Sequence, residues 1–293
     1  MQIENPKILV LGATGLLGNM VFRLLSEDSC LRVYGTIRSK DTVNYFSPEL
    51  QDFLEVVHDL TSLKELQTLI NAIKPNVVIN CVSVGRPIPL RLELLIPLLS
   101  VLPMRLSYLC SRIGAQLIHV SSDGVFSGQK GMYSERDIPD SGDAYGIAKA
   151  LGEAGADHVI LRTSLLGPEL AGGSGLLEWL ISQSIKCKGY TRSIFSGVTT
   201  FEFAKCLRDV IIPNQNLTGV FNVASDPCSK FDLLKMIKSE YGLDVSITPD
   251  DSLEIDRSLS GVKLKKMTGY SPPTWESMLY SMRNYKFGLR VDV

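Results

Sequence analysis

The stretch Lys7-Ile8-Leu9-Val10-Leu11-Gly12-Ala13-Thr14-Gly15-Leu16-Leu17-Gly18 decides the fold. Ile8 to Leu11 form a short apolar run that reads as a buried strand. The glycine-rich segment follows at once, and Met20, Val21, Leu24 and Leu25 then recur at helical spacing. A strand, a glycine turn and a helix N-terminus in that order aim backbone N–H groups and the helix dipole at an anion. Glycines at 12, 15 and 18 let the turn tighten, let a pyrophosphate approach the backbone and let the helix pack on the strand. Gly12, Thr14, Gly15, Leu16, Leu17 and Gly18 are therefore the expected phosphate cradle of a dinucleotide. The plainer alternative is an ordinary strand-to-helix turn.

Working outward, short apolar runs at 31–37, 53–58, 77–81, 116–120 and 157–161 alternate with helical patterns. One of these begins at Thr61 or Ser62 as cap, continues through Leu63, Leu66, Leu69, Ile70 and Ile73 and is stopped by Lys74-Pro75; another spans 144–156. That alternation predicts an α/β protein with a Rossmann-type, doubly wound parallel sheet over residues 1–165. Residues 166–293 lose the alternation and read as a smaller C-terminal α/β substrate-binding lobe, with helices over 176–185, 201–211 and 230–241 and a strand at 220–223; the chain is free to cross back between the lobes. The glycine-rich 168–175 either closes over a substrate or simply connects.

Ligands of such sheets bind beyond the carboxyl ends of the strands, where Gly12, Asn80 to Arg86 and Ser121 to Phe126 converge. The second strand runs into Arg38-Ser39-Lys40 without the acid that would hold an unmodified ribose, so NADP(H) is favoured over NAD(H), with Arg38 and Ser39 at the 2′-phosphate. Arg38 as a solvated loop charge is the alternative. Asp59, with Leu60 beside it, either takes the adenine amino group or opens the following helix. Cys81, Val82 and Ser83 run from the fourth strand toward the cofactor, although Cys81 is also simply a small core residue.

Tyr145 and Lys149 lie four residues apart and share one face of a helix. An ammonium there stabilises a phenolate and so makes the phenol a better acid than its ordinary value near pH ~10 allows. Upstream, Ser121-Ser122-Asp123-Gly124-Val125-Phe126 ends the fifth strand at the same crevice.

Composition excludes several classes. Thirty basic residues nearly cancel 31 acidic ones, leaving a net charge of −1, so no drive toward a nucleic acid polymer or an anionic membrane is visible. The six cysteines have no Cys-x-x-Cys pair and no histidine nearby, and His58, His119 and His158 lack mutual spacing; no metal site is expected, and the thiols read as reduced. The apolar 90–109 is interrupted by Arg91, Glu93, Pro97, Pro103 and Arg105, so no membrane span is expected, and the N-terminus carries no signal-peptide pattern. A cytoplasmic protein is the expectation.

Gly-Ala-Thr-Gly-Leu-Leu-Gly at 12–18, Ser-Ser-Asp-Gly-Val-Phe at 121–126, Tyr-Gly-Ile-Ala-Lys at 145–149, Leu-Arg-Thr-Ser at 161–164 and Ser-Gly-Val-Thr-Thr at 196–200 together resemble the extended short-chain dehydrogenase/reductase superfamily. Within it the chain is most similar to the dTDP-4-dehydrorhamnose reductase branch. That resemblance implies a catalytic triad of Ser122, Tyr145 and Lys149. Tyr145 would protonate a ketone as NADPH delivers hydride, Lys149 would depress the phenol and bond the nicotinamide ribose, and Ser122 would hold the carbonyl oxygen. It also implies a nucleotide-linked 4-keto-6-deoxy sugar as substrate, met by Val84, Arg86, Ser122, Asp123, Gly124 and Tyr145, a place in polysaccharide biosynthesis, and a homodimer as one assembly it allows. The chain departs from the branch at Val82 to Pro89, at Ser100 and at Gly124, which bear on the sugar more than on the reaction. An epimerase of the same fold and a non-catalytic NADP-binding regulatory subunit are the competing functions; Gly124 after the aspartate disfavours a dehydratase.

Overall fold

A computed structural model describes residues 5–84, 92–154, 158–170, 173 and 175–287. Seven strands form the central sheet: β1 (Lys7–Leu11), β2 (Arg32–Ile37), β3 (Leu54–Val56), β4 (Val77–Asn80), β5 (Gln116–Val120), β6 (Val159–Arg162) and β7 (Gly219–Asn222). Their order is β7-β6-β5-β4-β1-β2-β3, and every neighbouring pair is parallel. The order reverses between β1 and β4, as the doubly wound reading requires, so a crevice opens there beyond Leu11 and Asn80, which are paired in register.

Alternation along β1 sorts the two cores. Ile8 and Val10 face the layer containing α1 (Leu16–Ser26), whereas Leu9 and Leu11 face α2 (Leu63–Ile73) and α3 (Leu102–Ile113). Ser62 caps α2, its hydroxyl accepting from Glu65 N at 3.3 Å, which settles the choice between Thr61 and Ser62. Further helices are α4 (Ala144–Gly152), α5 (Thr200–Cys206), α6 (Lys230–Tyr241) and α7 (Trp275–Asn284).

Three features stand out beside the sequence reading. From Leu92 onward the apolar run broken by prolines is one continuous helical segment, with a wider π-type turn at Ile96–Val101 leading into α3. Pro97 and Pro103 cannot donate, and the widened turn closes instead through Leu102 N to Pro97 O. Glu93–Ile113 is 21 residues with mean hydropathy 1.6, long and apolar enough to cross a membrane by length and composition, yet 44% of its most apolar window is buried inside the protein. Ser100 Oγ, donating to Ala148 O at 2.8 Å, ties it to α4.

Secondly, part of residues 166–293 crosses back to the main sheet. β7 returns to pair with β6, and α5 packs against α1, so the C-terminal part completes the sheet and one helical layer. Smaller sheets stand apart from the main one, among them the pair Lys186–Tyr190 with Ser246–Asp250 and a three-stranded sheet centred on Ser193–Phe195. Thirdly, α7 went unread although Trp275, Met278, Leu279 and Met282 recur at helical spacing, all buried.

Candidate functional site

The glycine turn is built as an anion cradle. Gly12 takes φ +82°, its N–H donates to Thr36 Oγ1 at 2.9 Å, and Gly15 N donates to Gly12 O at 3.0 Å. A Cβ on Gly18 would stand 2.0 Å from Gly12 O, so only glycine lets α1 approach this closely. Gly15 caps α1 without a side-chain acceptor, and the first turn holds no acid, which leaves donors and positive helix potential open to a phosphate. Thr14, Gly15 and Leu16 reach the surface there, whereas Leu17 and Gly18 are buried and act by packing. The residues present therefore fit a dinucleotide pyrophosphate.

At the end of β2, Arg38 is exposed and makes no hydrogen bond or ion pair among the described residues. Ser39 is engaged locally, its hydroxyl accepting from Asp41 N at 3.3 Å and donating to the Asp41 carboxylate at 3.1 Å. Asp59 accepts from Thr61 N at 2.7 Å and Thr61 Oγ1 at 2.6 Å, bonds that hold its carboxyl below the usual aspartate range. Of its two readings, the structure displays the helix-entry role. Leu60 is half-buried against the apolar layer of α2 and α3.

The segment after β4 is held by Asn80, which is fully buried. Its amide nitrogen lies 3.1 Å from His119 Nδ1 and its oxygen accepts from Val82 N at 3.1 Å. Cys81 is buried, and burial pushes its thiol up to about 12, so it is a core residue and no nucleophile at neutral pH. Val82 packs beside Gly12. Ser83 is exposed in the crevice with its hydroxyl 3.2 Å from the Tyr145 hydroxyl. Val84, like Ala144 and Tyr145, packs against the cluster of Leu95, Leu99 and Ala148; Arg86 lies outside the described residues.

Asp143 caps α4, accepting from Gly146 N at 2.7 Å, and thereby fixes the first turn that carries Tyr145. A Cβ on Gly146 would fall 2.2 Å from Gly124 O, so these two glycines bring α4 against the turn at Asp123–Val125. Gly124 is buried in that contact. Lys149 is 2% exposed and donates from Nζ to Val120 O at 3.0 Å. Tyr145, Lys149 and the end of β5 are thus brought together.

Ser122 is half-buried and already engaged, accepting from Gly124 N at 3.0 Å and donating to Asp123 Oδ1 at 3.1 Å. Burial pushes the Asp123 carboxyl up, opposed by Lys230, by hydrogen bonds from Ser122 and Ser164, and by Arg257. Sequence reading missed this cationic company. Lys230 opens α6, its ammonium 3.9 Å above the Phe195 ring, and Arg257 reaches Asp143 at 3.5 Å. Both come from the C-terminal third, and no local signal pointed to Asp123. Also missed was the support beneath Ser122: Ser121 donates to Glu153 Oε1 at 2.6 Å, and Arg162 Nη2 meets Glu153 Oε2 at 2.7 Å.

His119 and His158 are buried in or beside strands, and His58 is exposed. Burial, Lys149 and His158 hold His119 well below the ordinary histidine range, so it is neutral. The six cysteines are unbridged, and among the described residues no group of three or more His, Cys, Asp or Glu is placed to hold a metal.

A family model described as the RmlD substrate binding domain matches residues 6–172, more than half of the sequence. The chain belongs to that family. Its placement in the dTDP-4-dehydrorhamnose reductase-like branch of the extended short-chain dehydrogenases/reductases follows, with its Rossmann-like sheet. The dTDP-4-dehydrorhamnose reductase of Aggregatibacter actinomycetemcomitans is 25% identical over 308 residues, 95% of this chain and 99% of that protein. Methionine adenosyltransferase 2 subunit beta of Xenopus laevis is 33% identical over 155 residues, 52% of this chain but 43% of that protein. The match thus spans less than half the length of that relative. Among solved structures, a Clostridium acetobutylicum dTDP-4-dehydrorhamnose reductase superposes with TM-score 0.77 at 23% identity, covering 95% of this chain and 98% of that one. The Bacillus anthracis dTDP-4-dehydrorhamnose reductase in complex with NADP gives TM-score 0.77 at 20% identity, with coverage 95% and 98%. The Bordetella bronchiseptica enzyme WbmG in complex with NAD gives 0.78 at 17%, with coverage 96% and 94%. Two of these solved structures thus hold a nicotinamide cofactor, NADP in one and NAD in the other.

Proposed function

We propose that this protein is an NADPH-dependent reductase of a nucleotide-linked 4-keto-6-deoxy sugar. The observation that carries the reading is that Tyr145, its hydroxyl 3.2 Å from that of Ser83, shares α4 with buried Lys149 one turn on, while the N-terminus of α1 has no side-chain cap and suits a dinucleotide. Gly12, Thr14, Gly15 and Leu16 would hold the pyrophosphate, Arg38 and Ser39 the 2′-phosphate, Asp59 and Leu60 the adenine end, and Cys81, Val82 and Ser83 the nicotinamide side. The bound cofactor supplies the hydride. Tyr145 donates its proton to the ketone oxygen, and Lys149, anchored on Val120 O, fixes a positive charge one turn from the phenol and meets the ribose. Ser122, Asp123, Gly124, Val84 and Arg86 would face the sugar.

The test is loss of NADPH absorbance against a panel of dTDP-, GDP- and UDP-linked 4-keto sugars. Oxidation with one of them supports the reading; tight NADP binding with no turnover on any overturns it. The higher identity to a protein named as a subunit of methionine adenosyltransferase favours a second reading, a subunit that keeps the nucleotide site without turnover. The same assay separates the two.

A further inference from the structure

We propose that Ser83 is a catalytic hydroxyl of this site, donating a hydrogen bond to the Tyr145 oxygen and stabilising the charge left when the phenol gives up its proton. The inference rests on the reductase reading above. Its basis is the distribution of the three hydroxyls. The Ser83 hydroxyl lies 3.2 Å from the Tyr145 oxygen, across 62 positions of sequence. The single proton of Ser122 is spent on Asp123, and its oxygen accepts from Gly124 N. Ser122 is thus turned toward its own loop, while Ser83 is turned toward the reacting atom.

The backbone that presents Ser83 is fixed beforehand. Asn80 is buried, paired with His119 through its amide nitrogen and with Val82 N through its oxygen, so the three residues leading to Ser83 leave β4 in one direction. A hydroxyl held in this way costs little reorganisation when charge appears on its neighbour. In the step itself hydride arrives at the carbonyl carbon, the π pair of the C=O bond moves to oxygen, and the phenol O–H bond breaks as its proton passes to that oxygen. The phenolate then accepts from Ser83 O–H, which stays intact, until solvent returns a proton to Tyr145.

The experiment titrates the cofactor-free protein, following phenolate absorbance in wild type and in Ser83→Ala, Ser83→Thr, Ser122→Ala and Tyr145→Phe. Subtracting the Tyr145→Phe curve isolates the phenol of interest. A hydrogen bond to a charged oxygen corresponds to about one pH unit, so Ser83→Ala moves the midpoint up by about that much, Ser83→Thr restores it and Ser122→Ala leaves it in place. In turnover with a ketone substrate, the high-pH limb of kcat moves the same way and kcat falls about tenfold at constant KM. An unchanged midpoint in Ser83→Ala, or an equal shift in Ser122→Ala, overturns the assignment. A shifted midpoint without turnover on any keto sugar removes the reductase reading and leaves Ser83 as the phenol's partner. Normal turnover with an unshifted midpoint does the reverse.

Discussion

Replacing Arg162 by methionine leaves the Glu153 carboxylate buried with one hydroxyl for company. The wild-type pair is 3% and 7% exposed, with Arg162 donating to Glu153 at 3.0, 3.2 and 2.7 Å and Ser121 adding a fourth bond at 2.6 Å. Removing one partner of a pair buried to this degree costs about 3–5 kcal/mol, against a total stability on the order of 5–15 kcal/mol. Urea unfolding at neutral pH reads this directly as a lower midpoint at unchanged slope. The double variant Glu153→Leu/Arg162→Met removes both charges and recovers most of the loss, because desolvation then has nothing to oppose. Activity should not recover with it. Ser121 loses its acceptor, and the segment delivering Ser122 and Asp123 loses the tie between α4 and β6, so the double variant melts like wild type while turning over more slowly. A single-variant loss below about 1 kcal/mol, the value of an exposed pair, would refute the reasoning.

Tyr145→Phe keeps the fold and NADPH affinity, measured by fluorescence titration, and lowers turnover by about 10²–10⁴, the usual contribution of a positioned acid; an unchanged rate removes the tyrosine from the mechanism. Arg38→Asp shifts the NADPH-to-NADH preference toward NADH, and an unchanged ratio of kcat/KM values means that Arg38 does not meet the 2′-phosphate. His119 is neutral when folded and takes a proton more readily when unfolded, so the unfolded state gains a proton as pH falls below about 6.5. Stability should therefore fall on acidification by up to about 1.4 kcal/mol per pH unit from this group, and His119→Phe should flatten that slope between about pH 6.5 and 5 in thermal melts; an unaltered slope sinks the assignment.

The strands were legible because each is a short apolar run whose period needs no tertiary partner to be seen, and the turn at 12–18 was legible because glycine there answers a backbone demand. Helix 92–113 was obscured by Pro97 and Pro103, since a sequence rule counts prolines as breaks while a widened turn absorbs them. The place of 219–222 in the main sheet was invisible for another reason: a strand's neighbour is chosen by the path of the whole chain. In the site, Tyr145 with Lys149 and the arrival of Ser122 at the crevice could be read locally. The direction of the Ser122 hydroxyl could not.

By itself, then, the sequence determined a doubly wound sheet, a tight glycine turn ahead of a helix and a tyrosine–lysine face, because these follow from periodicity, glycine and spacing within one element. Only the tertiary structure decided which polar groups meet: Ser83 with Tyr145, Lys230 and Arg257 around Asp123, and Ser121 on the Glu153–Arg162 pair. Ser83 with Tyr145 and Lys230 with Asp123 join elements far apart in sequence, and even the nearer Glu153–Arg162 pair joins a helix end to a strand. Which of them form is set by how the layers pack and by the need to satisfy whatever polar group that packing buries.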